Sequence, residues 1–143
     1  MKKILFLLLI ALCISCKGEL EVISAKKQTV IPGVKTAKKH TKYQIQFKNT
    51  SSVNKSIDSI LISENNTCYK VNFGMHKDKS PQLIKETSGL GLYIISASLI
   101  DGNHTKSTNC SSSENEVIIY YKIGKSSKKL VINSFIEERK TMR

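Results

Sequence analysis

The chain has 143 residues, with 23 Lys and Arg against 11 Asp and Glu, a formal net charge of +12 at pH 7. A chain of this length folds as one domain that buries roughly 70% of its extended surface, which excludes a two-domain enzyme and a polytopic membrane protein. Hydrophobic residues make up 40% and recur along the whole length, so long disorder is excluded too.

Lys2 and Lys3 precede Ile4–Leu12, a run without a polar group. A spanning helix needs about 20 apolar residues, so this run reads as the core of a secretory signal. Cys13-Ile14-Ser15-Cys16 then resembles the lipobox of bacterial lipoproteins. Ser15 and Cys16 match that pattern, and Cys13 stands where Leu is usual. The resemblance implies a signal peptide over residues 1–15 and a single lipid-anchored domain over 16–143. Cys16 would carry a diacylglycerol thioether and an acylated amine, and several acyl chains hold a membrane where one does not. Lys17, in place of the Asp that retains lipoproteins at the inner membrane of enteric bacteria, leans toward the outer membrane. The expected location is the cell envelope.

Beyond Lys17 the dominant period is two. Leu20 and Val22 alternate with Glu19, Glu21 and Ile23, and Thr29–Ile31 reads as a further short strand before Pro32-Gly33. Tyr43, Ile45 and Phe47 alternate with Lys42, Gln44, Gln46 and Lys48, the clearest half-buried strand. Ile57–Ile62 and Tyr69–Phe73 follow, joined by a hairpin at Glu64-Asn65-Asn66, because Asn tolerates left-handed turn geometry. Pro81–Glu86 suits one short helical turn. Leu92–Ile100 is apolar on both parities and predicts a central strand covered on both faces. Val117, Ile119, Tyr121 and Ile123 predict the next strand and Gly124–Lys129 a polar turn. Leu130, Ile132 and Ile136 share parity in one last strand. Ser-rich Lys106–Asn115 reads as an exposed loop. About seven short strands without a helical stripe predict an all-β fold, an antiparallel immunoglobulin-like β-sandwich.

A lipobox ending in Ser-Cys-Lys, the strand Tyr43–Phe47, the segment Asp58-Ser59-Ile60 and the terminal hairpin around Tyr120 to Phe135 are together similar to small lipoproteins of the Bacteroidota, of the flavobacterial kind. The similarity covers most of the chain. It implies a small β-sandwich on the cell envelope and brings no catalytic residue with it.

Cys68 and Cys110 are the cysteines left after Cys16 is acylated and the signal removed. Outside the cytoplasm such a pair reads as a disulfide; two free thiols are the alternative. A zinc site adding His76 and His104 is disfavoured, since structural sites use close pairs such as C-x2-C. No catalytic residue and no cofactor is expected. Aspartate is confined to Asp58, Asp78 and Asp101, no G-x-S-x-G occurs, and Gly124-Lys125-Ser126 lacks the first Gly and the following helix of a P-loop. Five Asn-x-Ser/Thr sequons, the first at Asn49, reflect an Asn- and Ser-rich composition, while Asp58-Ser59-Ile60 resembles an O-glycosylation motif with Ser59 as acceptor.

Charge is the most quantitative clue. Lys35, Lys38, Lys39 and Lys42, with no acid between them, predict a patch for an anionic surface. Lipid headgroups, an anionic glycan or an acidic envelope protein would suit it, and nucleic acid would not. The expected function is a non-enzymatic binding or accessory module held to the membrane by its lipid. The alternative is an envelope hydrolase or an enzyme inhibitor.

Overall fold

The structure, a computed structural model, describes residues 20–100, 104–107, 110 and 115–142. These form eleven strands: β1 (Leu20–Ile31), β2 (His40–Asn49), β3 (Ser56–Glu64), β4 (Thr67–Val71), β5 (Phe73–Lys77), β6 (Leu83–Ile84), β7 (Gly91–Leu99), β8 (His104–Ser107), β9 (Glu116–Ile123), β10 (Ser126–Ile132) and β11 (Ile136–Thr141). One sheet has the order β11-β1-β2-β7-β5-β6, the other β10-β9-β3-β4-β8. The chain is an all-β sandwich. Among the described residues, both sheets and the core are built from residues 20–142.

Period-two patterning sets which face is buried. On β2, Thr41, Tyr43, Ile45, Phe47 and Asn49 point inward while Lys42, Gln44 and Lys48 are exposed. Opposite them, Tyr93, Ile95 and Ala97 of β7 pair with Phe47, Ile45 and Tyr43. The Phe47 and Tyr93 rings stack with centroids 5.7 Å apart. The second sheet contributes Ile60, Ile62, Val117, Ile119 and Tyr121. Each such fully buried side chain contributes roughly 1.5–3 kcal/mol. The β3–β4 hairpin turns at Asn65 (φ 52°) and Asn66 (φ 58°), the paired left-handed geometry that its Asn-Asn sequence suits.

Five details depart from the sequence expectation. Residues 20–31 are one strand, not two, because Lys26 and Lys27 find partners across the sheet instead of ending it. The turn after β9 is only Gly124 and Lys125; Lys128 and Lys129 belong to β10, paired with Tyr121 and Tyr120. Leu130–Ile132 and Ile136 lie in different sheets, and β11 pairs with β1 in parallel, so the sandwich is not wholly antiparallel. Leu83–Ile84 is a short edge strand and not a helical turn. On β7 the covered face is one, with Ser96 exposed.

Strands buried on both faces occur elsewhere. Residues 60–63 of β3 and 117–119 of β9 are consecutively buried. The outer cluster there is Leu61, Cys68 and Ile118, with Cys110 and Tyr120 against it. Cys68 and Cys110 form a disulfide, their Cα atoms 5.8 Å apart. Part of the stretch expected as loop is instead β8, whose His104–Ser107 pairs with β4.

Candidate functional site

Register brings the site together at the end of the sheet where β1 finishes. Lys27 of β1 pairs with Glu137 of β11 on one side and with Tyr43 of β2 on the other. One step further, Thr29 lies between Arg139 and Thr41. These are inward-facing positions, and from the second sheet Glu64, beside the β3–β4 turn, and Asn115, just before β9, reach Lys27. The result is a cleft of about 470 Å³ with Lys27, Lys39, Glu64, Glu137, Glu138 and Arg139 in its walls. Its volume is that of a small-ligand site.

Lys27 organises the cleft. Its Nζ lies 3.4 Å from Glu64 Oε1, with side-chain exposures of 11% and 20%, and donates to Asn115 Oδ1 at 3.0 Å. It also sits 5.9 Å from the centre of the Tyr43 ring, within range of a cation–π contact. The far edge of that ring meets Phe135, which closes the crossing from β10 to β11. The Tyr43 hydroxyl is buried and has no hydrogen-bond partner among the described residues. Burial pushes its pKa up, and the nearby carboxylates Glu64 and Glu137 push it further. The phenol therefore stays neutral through the whole ordinary pH range. The cleft thus combines ammonium, guanidinium and carboxylate groups at the mouth with a neutral phenol behind them. Paired charges and hydrogen bonds are the interactions such a surface can offer.

The basic segment predicted from sequence is divided by the fold. Lys35 and Lys38 are exposed in the β1–β2 connection, Lys39 lines the cleft, and Lys42 points to the opposite face of the sheet. There Lys42 and Glu138 border a shallow groove with Lys26, whose Nζ is 3.6 Å from Glu138 Oε1. The expectation that no acid offsets these lysines is corrected by β11, which brings Glu137 and Glu138 beside Lys39 across a sequence gap too long to read.

The other predicted residues lie apart. Cys16 is outside the described residues. Ser59 is half-buried on β3, paired with Tyr120, in the wall of a crevice of about 510 Å³ whose floor includes Val71 and Met75. Asp58 in the same wall lies 3.5 Å from Lys122 Nζ. His76 is on β5; His104 is not simply solvated, since its ring meets Tyr69 edge-on at 4.8 Å and its Nδ1 lies 2.7 Å from Ile100 O. Among the described residues no three His, Cys, Asp or Glu side chains gather closely enough to hold a metal ion.

Asn49, read as a sequon, is fully buried, so it is not a surface acceptor. It sits at the end of the sandwich opposite the cleft, in a polar plug with Lys55 and Thr87, both fully buried. Lys55 Nζ donates to Asn49 Oδ1, to Ser51 Oγ at 2.8 Å and to Val53 O at 3.1 Å. Asn49 Nδ2 donates to Val53 O at 3.1 Å and Gly89 O at 2.9 Å. Thr87 accepts from Lys55 N and donates its own N–H to Lys55 O, both at 2.9 Å.

No family model matches this chain, and no curated protein matches it. Among solved structures it is similar to a glycoside hydrolase family 20 exo-β-N-acetylglucosaminidase from Vibrio harveyi, an inactive mutant, at 10% identity and a TM-score of 0.33. That alignment covers 86% of this chain and 18% of the enzyme's chain. The chain therefore spans less than a fifth of that enzyme's length, and the likeness carries no argument about activity.

Proposed function

We propose that this chain is a lipid-anchored envelope lipoprotein, non-enzymatic, that holds a charged envelope partner in the cleft between β11, β1, β2 and the β3–β4 hairpin. The observation that carries this reading is where the cleft lies relative to the amino-terminal address. Cys16 precedes Leu20 by four residues, and Leu20 opens β1. At about 3.3 Å per residue, the twelve-residue strand carries the chain about 36 Å to the cleft end. A membrane potential screened over about 8–10 Å does not reach that far. An upright domain would thus offer the cleft to a partner in the aqueous space, and Lys35, Lys38 and Lys39 would steer that partner instead of the anchoring bilayer. The outer membrane and the Bacteroidota resemblance are part of the same proposal and rest on the lipobox residues.

The test is co-purification from the native envelope, comparing the wild type with a Lys39→Glu/Arg139→Glu variant. A partner recognised in the cleft should be retained at low salt, released at high salt, and lost from the variant, whose melting temperature stays unchanged because both positions are exposed. A partner kept equally by both proteins would remove the cleft from the account.

A further inference from the structure

The end of the sandwich nearest the amino terminus carries two exposed apolar side chains on two different loops. Val53, in the β2–β3 connection, is 51% exposed, and Leu90, just before β7, is 59% exposed. They are neighbours by construction. Asn49 Nδ2 bonds to the carbonyl of Val53 and to that of Gly89, so one amide group clamps both loops. Gly89 N donates to Asn54 Oδ1 at 2.8 Å and its carbonyl also accepts from the Tyr93 hydroxyl at 3.0 Å. Gly89 has φ 75°, a left-handed conformation that an L side chain disfavours, which turns the chain so that Leu90 is presented outward.

Loops held this firmly do not fold their apolar tips back onto the domain. Their ordering entropy is already spent in folding, so contact with an apolar phase gains most of its burial free energy. Three strand ends lie at this same end: Leu20 of β1 pairs with Asn49, which pairs in turn with Gly91 of β7. Lys85 and Lys125 are exposed in the loops around the tips, against Glu86 on the same side. The residues preceding Leu20 in sequence include the apolar run Ile4–Leu12 and Cys16, so any membrane attachment of that segment enters here.

We infer that Val53 and Leu90 form a membrane-contacting tip: two apolar side chains that enter the headgroup region of an anionic bilayer and hold the domain upright on it. The inference rests on the envelope reading for the presence of a bilayer and does not need acylation at Cys16. The occupant is a lipid surface and not a protein, because the tip presents only two apolar side chains and adjoins Leu20, where the amino-terminal segment enters the sheet. It also gives the plug a purpose, since burying Lys55 is otherwise an expensive way to close the end of a sandwich.

The chain has no tryptophan, so one introduced indole reports its own surroundings. Residues 20–142 carrying Leu90→Trp should show a blue-shifted emission on phosphatidylglycerol-containing vesicles. Val34→Trp, at an apolar residue 65% exposed on the β1–β2 connection at the opposite end, should not. In co-sedimentation, Val53→Asp/Leu90→Asp should weaken binding about 100-fold, roughly tenfold for each side chain withheld from the bilayer. Replacing Lys35, Lys38, Lys39 and Lys42 by Gln should leave binding within about threefold of wild type. No shift at Leu90→Trp, an equal shift at Val34→Trp, or undiminished binding of the double aspartate variant would overturn the tip. Because the purified domain carries no acyl chain, these outcomes are independent of whether Cys16 is modified.

Discussion

Replacing Asn49 by Leu is expected to lower the free energy of unfolding by about 3 kcal/mol, measured from urea midpoints. Asn49 is at once acceptor for the buried Lys55 ammonium and donor to the carbonyls of Val53 and Gly89. A leucine of similar size fills the space and satisfies none of them. The charged partner then loses an acceptor within a region shielded from water, which is the expensive direction of the change. Lys55→Met should have a smaller effect, near 1 kcal/mol, because it removes the charge along with its need for acceptors and leaves only neutral oxygens behind. An Asn49→Leu protein within about 0.5 kcal/mol of wild type would show that the plug does not hold the two loops.

Cutting the Cys68–Cys110 disulfide should have an effect at least as large. The bonded residues are 42 apart in sequence, and closing a loop of that size restricts the unfolded chain by roughly 4 kcal/mol on the chain-entropy account. In the folded state Cys110 packs against Leu61 and Ile118 on the outer face of the second sheet. A Cys68→Ser/Cys110→Ser protein therefore loses both the restriction on the unfolded chain and part of an apolar cover. Its midpoint, and that of the wild type in reductant, should fall together. Thiol counting on the unfolded, unreduced protein should find neither cysteine of the pair reactive, and two reactive thiols would contradict the bond.

The all-β fold was legible in this sequence because β2 alternates cleanly and the Asn65-Asn66 turn needs the left-handed geometry that Asn tolerates. Strand ends were legible only where polarity and burial agree. Lys26 and Lys27 look like a break, yet Lys27 is an inward-facing residue whose charge is met by Glu64, distant in sequence. Ile136 shares parity with Leu130, yet the three residues between Ile132 and Ile136 carry the chain into the other sheet. The cleft was hidden for the same reason. Its carboxylates come from β3 and β11, and its cations from β1, the β1–β2 connection and β11. Only the pairing of β11 beside β1 brings them together, and parallel pairing of a terminal strand leaves no local signature. Of its members, Lys39 alone belonged to the basic segment read from sequence. The plug had one readable signal, the inward parity of Asn49 at the end of β2, which its place in a sequon obscured.

The claim on which the account turns is that this domain reaches a membrane through Cys16. Metabolic labelling with a fatty-acid analogue in a bacterium that processes lipoproteins measures it directly. The account predicts label on the wild type and on Cys13→Ser, recovered with the membrane fraction, and no label on Cys16→Ser. Label that survives Cys16→Ser and vanishes with Cys13→Ser, or a wild-type chain that takes up none, would contradict it.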